Sequence, residues 1–230
     1  MVEGPKGRAR RMLQPGDAAP AFVLPAVSRD GRVSLDDYRG RSSLLLGLFR
    51  GLHCPFCRRQ IVLLGAIQEK LKSAGVEMLA VINTPAERAR LFFRYLPTRL
   101  LVGADPDAAI HRAFSVPAGE WVEDESAAQW PYRATFQQFQ STLINPTGEL
   151  ASPLNAMEAN AALNEKDGFR LTEVDEQIVA AHATQLVGHF LIDRDGVIRW
   201  RHVEAEARAT DLGRLPSNND ILAALTHLPR

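Results

Sequence analysis

The 230-residue chain has two cysteines, and both stand in one stretch, Cys54-Pro55-Phe56-Cys57. Thiols three positions apart at the start of a helix lie on nearly the same face, within the usual separation of bridged residues. The thiolate is the reactive form. A helix start favours it through unpaired backbone N–H groups and the positive end of the helix dipole, and sites of this type lower a cysteine pKa from about 8.5 to roughly 3.5–7.5. Cys54, at or just before the first turn, is therefore the expected nucleophile and Cys57 the resolving thiol. Cys54 would attack an electrophilic sulfur or a peroxide oxygen, forming a mixed disulfide or a sulfenic acid. Cys57 would then displace it to close an intramolecular disulfide, which an external thiol reductant of thioredoxin or glutathione type must reopen. Arg50, His53, Arg58 and Arg59 flank the pair as candidates to stabilise the thiolate.

Other readings of the pair stay open: a redox-sensing or partner-binding module without efficient turnover, a metal carrier, or two inert buried thiols. Structural zinc needs two further ligands, and His111, His182, His189, His202 and His227 are scattered singly. The expectation is no metal and no cofactor.

The elements that must hold the pair are readable from the pattern. Ser43 to Phe49 is a short, mostly apolar run with the length of a central buried strand. Behind the cysteines, Ile61, Leu64, Ile67 and Leu71 recur at helical spacing up to about Gly75. Leu24 to Leu35 reads as extended with a turn at Asp30-Gly31, and Glu77 to Asn83 as a second buried strand. Thr84-Pro85 predicts an N-cap for a helix to about Tyr95, followed by a strand near Leu100 to Gly103 and a helix from Pro106 to Phe114. The alternation argues for an α/β fold with a mixed sheet and helices on both faces. Asp193 to Gly196 predicts a hairpin turn between Gly188–Ile192 and Val197–His202, and Ser217 with Asp220 predicts the cap of a final helix.

From about 115 to 185 the pattern weakens, and the stretch reads as an insertion before the last hairpin of a single domain, 16–230, with one candidate helix at 173–183. Its aromatics, Trp121, Trp130, Tyr132, Phe136 and Phe139, are expected to form a small core of their own, the alternatives being a substrate cleft or a dimer surface beside the cysteines. Glu120, Glu123, Asp124 and Glu125 read as a solvated loop, and Arg88, Arg90, Arg94 and Arg99 as the wet face of a helix.

Composition narrows the class. The chain is 46% hydrophobic and 23% charged, with 27 basic against 27 acidic residues, so neither a disordered chain nor a basic nucleic-acid binder fits. Residues 1–15 carry Lys6, Arg8, Arg10 and Arg11 but no apolar run of signal-peptide length, and predict a flexible basic tail. No stretch approaches the roughly 20 apolar residues of a membrane span. The expected compartment is the cytoplasm, and the expected partners exclude nucleic acid and membrane but leave room for a homodimer.

Several segments together resemble the alkyl hydroperoxide reductase/thiol-specific antioxidant (AhpC/TSA) family, in its peroxiredoxin-like branch with a CxxC. They are Gly16-Asp17, Pro20-Ala21-Phe22, Leu24-Pro25, Leu35 to Tyr38, Phe49 to Cys57 and Phe190 to Arg199, so the likeness covers about 16–114 and 186–228. The resemblance implies a thioredoxin-like fold, antioxidant thiol chemistry and Cys54 in the peroxidatic position. Typical members place a proline seven residues and a threonine or serine three residues before that cysteine, where this chain has Gly47 and Gly51. They also carry an arginine before the late strand, where it reads Leu186-Val187-Gly188, and no proline stands between Pro153 and Pro216 for the cis-proline of thioredoxins. Arg50, His53, Phe56 and Val187 are then the candidates for thiolate tuning or substrate positioning.

Overall fold

A computed structural model of the chain describes residues 11–182 and 184–229. The extended segment forms a hairpin of β1 (Val23–Pro25) and β2 (Arg32–Ser34), turned at Gly31 with φ +89°, a conformation that suits glycine. The two apolar runs are β3 (Ser43–Phe49) and β4 (Val76–Ile82), parallel neighbours in register from Ser43 opposite Val76 to Phe49 opposite Ile82. Every residue of β3 is buried, as expected of a strand covered on both faces. Between them runs α1 (Pro55–Ser73), which buries Ile61, Leu64, Ile67 and Leu71.

α2 (Ala86–Tyr95) leads to β5 (Leu101–Ala104) and then α3 (Ala109–Ala113). Both helices begin later than the sequence predicts. Thr84 does not cap α2; its hydroxyl accepts the Leu52 N–H at 3.1 Å, and Pro85 takes the cap position. The Asp105 carboxylate gathers the N–H groups of Ala109 and Ile110 at 3.1 and 2.8 Å, which sets the α3 start after Ala108, itself at φ 52°.

The insertion is more regular than its sequence suggests. It holds β6 (Glu120–Val122) paired with β7 (Arg133–Thr135), α4 (Phe136–Ser141), β8 (Leu143–Ile144) paired with β9 (Leu154–Asn155), α5 (Ala156–Lys166) and α6 (Glu173–His182). Thr135 and Gln138 form a capping box for α4, and Asn155 caps α5 by accepting from Met157 and Glu158. The chain then returns through β10 (Gly188–Ile192) and β11 (Ile198–Val203), with Gly196 in the turn at φ +81°, and closes with α7 (Asn218–Ala224) capped by Ser217 and Asp220.

The main sheet has the order β11-β10-β3-β4-β5, with β10 antiparallel to both neighbours and β3, β4 and β5 parallel. Helices flank this mixed sheet in a thioredoxin-like fold. Phe49, Phe114 and Phe190 are the largest fully buried side chains, and the last two pack with ring centroids 4.9 Å apart. Residues 1–10 of the expected basic tail lie outside the described residues. Arg11 pairs with Asp17 at 2.6 Å, while Met12 and Leu13 pack against the core. Among the described residues, no helix is long and apolar enough to cross a membrane.

Candidate active site

Cys54 is the N-cap of α1, with Pro55 in the first turn, and its Sγ accepts the backbone N–H of Cys57 at 3.2 Å. Both thiols are free and buried, 1% and 2% exposed. Burial alone pushes Cys54 up, but the hydrogen bond from the Cys57 thiol, the Arg50 charge and the Cys57 N–H outweigh it and bring the pKa down to about 6. Cys57 moves the other way. Burial raises it, and so does the sulfur of Cys54 beside it, which must stay the anion of the two.

Arg50 follows the last residue of β3, and the charges of Glu204 and then of the two sulfurs hold it protonated against burial. One of its nitrogens donates to Glu204 Oε1 at 2.6 Å and another to the Gln185 carbonyl at 3.2 Å. Glu204 is fully buried. It also accepts from Gly213 N at 2.6 Å and Val187 N at 3.0 Å, so all its bonds lie inside the protein. The sequence reading missed Glu204. It follows the last strand by one residue, and no local pattern marks a carboxylate whose partner is 154 positions away.

The other flanking residues behave differently from expectation. Arg58 donates to Leu52 O at 2.6 Å, to Asn164 and to Asp167, and Arg59 is tied to Glu149 and Asp167. They brace the loop and join α1 to the insertion, leaving Arg50 as the cation that lowers Cys54. His53 is buried, and burial with the Arg50 charge lowers its pKa to about 4, so it is neutral at pH 7 and adds no positive charge. Its carbonyl accepts from Asn164 Nδ2 at 3.0 Å. Val187 contributes its N–H to Glu204 and accepts the Glu204 N–H at 2.8 Å, so its backbone positions the carboxylate. Arg88 is not on a wet face: it pairs with buried Asp175 of α6 at 2.7 Å, whereas Arg90, Arg94 and Arg99 are exposed.

Packing accounts for the two glycines before the cysteines. A Cβ on Gly47 would stand 2.6 Å from the Phe49 ring. One on Gly51 would stand 2.9 Å from His53 Nδ1 and 3.0 Å from both the Asn83 carbonyl and Ile178 of α6. His53, the Asn83 carbonyl and Ile178 of the insertion thus fill the space that a hydroxyl-bearing side chain would need. Gly51→Thr is expected to lose about 1–3 kcal/mol of stability through overpacking, with no gain in peroxide rate. Denaturant midpoints and stopped-flow rates on the same samples check both halves.

Phe56 and the insertion aromatics complete the surroundings. Trp121 packs edge-on against Phe136 and Phe139 at 5.8 and 5.3 Å, yet these rings do not close on one another as a separate core. With Trp130 they line a cavity of about 420 Å³ that reaches Arg50, His53 and Phe56. Tyr132 is not in its lining. Among the described residues, no group of three or more His, Cys, Asp or Glu is placed to hold a metal ion.

Many solved structures share the fold, and three of them illustrate the likeness over nearly the whole chain. A Chlorobium tepidum protein described as a thiol:disulfide interchange protein DsbE has a TM-score of 0.50 at 20% identity, covering 93% of this chain and 99% of its own. The reduced 2-Cys peroxiredoxin of Plasmodium vivax gives 0.56 at 15%, covering 92% and 79%. Peroxidoxin BcpB of Mycobacterium tuberculosis gives 0.55 at 10%, covering 94% and 96%. No curated protein matches by sequence. The family model AhpC/TSA matches residues 15–152, running past the expected limit near 114 into the insertion and stopping before the late hairpin. That match spans more than half of the sequence, and with a CxxC at the head of α1 in a thioredoxin-like fold, the chain belongs to the AhpC/TSA family.

Proposed function

We propose that the protein is a thiol-dependent antioxidant oxidoreductase in which Cys54 attacks a peroxide or disulfide and Cys57 resolves the product. One observation supports the reading: Cys54 caps α1 and its sulfur accepts the Cys57 N–H at 3.2 Å under the Arg50 charge, an arrangement that favours the anion at Cys54 and fits Cys57 as the resolver. With a peroxide, the Cys54 thiolate takes the near oxygen and expels hydroxide or alkoxide, becoming a sulfenic acid. The Cys57 thiol then attacks that sulfur, its proton leaves with the departing hydroxyl as water, and the Cys54–Cys57 disulfide closes. An external dithiol of thioredoxin type returns two electrons, which makes a reducing cytoplasm the fitting compartment.

The crowding at Gly51 favours thiol–disulfide exchange or modest peroxide reduction over fast peroxidase turnover, since a missing oxyanion donor commonly costs a factor of about 100 or more. One equivalent of hydrogen peroxide is expected to remove both free thiols and leave a two-hydrogen mass loss. Cys57→Ser is expected to stop at a Cys54 sulfenic acid trapped by dimedone. Wild-type protein that accumulates sulfenic or sulfinic acid at Cys54 with Cys57 still free would end the resolver role. Oxidation no faster than free cysteine would favour a sensing or binding role instead.

A further inference from the structure

Midway along α1, Ile61 to Ile67 carry no polar side chain on any side of the helix. A helix that is apolar all round belongs inside a protein. Here only one side is inside: Ile61, Leu64 and Ile67 are buried, while Val62, Leu63 and Ala66 are exposed. The second half of α2 repeats the pattern, exposing Leu91 and Tyr95 and, just past its end, Leu96. Val62, Leu63, Leu91, Tyr95 and Leu96 are 45–75% exposed and line one groove of about 1430 Å³. Large apolar side chains gathered in this way on a surface mark a binding face. The groove exceeds the roughly 300–1,000 Å³ of small-molecule sites, and its concave form suits a segment of polypeptide better than a flat lipid surface.

Charge on the walls decides what kind of segment fits. Six arginines and two carboxylates line the groove. Three of the arginines are already paired: Arg58 with Asp167, Arg59 with Glu149 and Asp167, and Arg88 with Asp175. Both lining carboxylates are thereby neutralised. Arg214 reaches only Asp211, at 3.6 Å, a carboxylate that Arg208 also holds at 3.1 Å. Arg99 and Arg170 are exposed and form no ion pair among the described residues. Gln68 of α1 donates to the Arg99 carbonyl at 3.4 Å, and Arg170 follows Phe169, whose ring packs 6.0 Å from that of Phe92, so both cations stand beside the apolar floor. Glu69 and Lys70, on the next turn of α1, lie outside the lining and offset one another. A second copy related by a twofold axis through this face would bring these cations against their own counterparts, which opposes association. An acidic partner gains from them instead.

We infer that the groove docks an acidic amphipathic helix of another protein, its apolar stripe on Val62, Leu63, Leu91, Tyr95 and Leu96 and its carboxylates toward Arg99, Arg170 and Arg214. This docking is independent of the thiol chemistry proposed above. Phe56, which stands between the two cysteines in sequence, lines the same groove, so a docked partner lies alongside the turn that holds Cys54 and Cys57. One helix then has three tasks: its inner side builds the core, its head holds the thiols, and its outer side recruits a partner.

The probe is a fluorescein-labelled synthetic peptide with leucines at helical positions i, i+3, i+4 and i+7 and glutamates on the flanks, compared with one in which lysines replace the glutamates. Fluorescence anisotropy with the full-length protein is expected to show saturable binding of the acidic peptide at low salt, at least about tenfold tighter than that of the lysine peptide and weakening as salt is added. Val62→Gln/Tyr95→Gln is expected to weaken it about tenfold or more. Arg99→Glu/Arg170→Glu is expected to abolish or reverse the preference between the two peptides. All four positions are exposed, and an unchanged Cys54 titration with an unchanged melt verifies that each double variant is folded.

Absence of saturable binding, equal binding of the two peptides, or binding indifferent to either double variant would overturn the inference. A stable dimer that Val62→Gln/Tyr95→Gln dissociates would overturn it too, by assigning the face to a second copy. Binding to phosphatidylglycerol vesicles that is tighter than binding to the acidic peptide and is lost in the same variant would assign the face to a membrane and overturn it as well.

Discussion

Replacing Arg50 with methionine is expected to cut the rate of Cys54 oxidation at pH 7 by about thirtyfold or more. At a pKa of about 6, roughly nine-tenths of Cys54 is thiolate at neutral pH; at an ordinary cysteine pKa of about 8.5 only about 3% would be. Burial already works against the anion, and without the guanidinium only the Cys57 thiol and N–H would oppose it. The same substitution strands a fully buried carboxylate, because Glu204 keeps its bonds to Gly213 and Val187 but loses its cation. Breaking a buried pair from one side costs about 3–5 kcal/mol. Arg50→Met/Glu204→Gln should therefore recover most of that stability while leaving the thiol unreactive at pH 7. Thiol absorbance against pH, alkylation rates and denaturant melts on wild type, single and double variants separate the two effects. An unchanged Cys54 titration in either variant would show that the Cys57 thiol and N–H sustain the thiolate without Arg50.

That pair illustrates what local sequence can and cannot disclose. The paired cysteines and their helix were legible because a cap, a first-turn proline and a 3.6-residue apolar period are all short-range features. The buried strands were legible for the same reason. Arg50 was visible only as a flanking charge; whether it faced solvent or sulfur depended on Glu204, which the last hairpin brings back beside β3. Arg58 and Arg59 carry the same charge and stand closer in sequence to Cys57, yet carboxylates of the insertion draw them aside. The aromatic cavity was obscured because its walls come from short, capped pieces that show no sustained period. Even there, the Thr135 and Gln138 capping box was a readable helix signal.

Acid is expected to unfold the protein cooperatively between about pH 5.5 and 4, well before most carboxylates are neutralised. Burial lowers His111 and His189 to about 3 and His53 to about 4, the nearby Leu48 carbonyl opposing the shift at His111. An unfolded imidazole takes up its proton near pH 6.5, so below that value the unfolded chain binds more protons than the folded one. Stability from these groups is complete above pH 6.5 and falls as pH drops toward the folded values. Three such groups together give a slope approaching about 4 kcal/mol per pH unit, against a typical total of about 5–15 kcal/mol. His189 is the cleanest test, since neither ring nitrogen has a hydrogen-bond partner among the described residues and the ring lies edge-on to Phe49 at 5.3 Å. His189→Phe should raise stability at pH 7 and reduce the acid slope by about a third. Equal slopes in urea melts from pH 7 to 4.5 would remove His189 from the account.

The tie between Arg50 and Glu204 also has a temporal side. Cys54 leaves the ribosome long before Glu204 does, and at about 5–20 residues per second the interval is on the order of ten seconds. Until the late hairpin pairs with β3, neither Glu204 nor Gln185 can hold the guanidinium in place, and the nascent Cys54 lacks that positioned charge. On the proposed chemistry, the part of the thiolate's stabilisation that comes from Arg50 arrives only with completion of the fold. A growing chain then meets an oxidant with its cysteines less armed than those of a finished molecule.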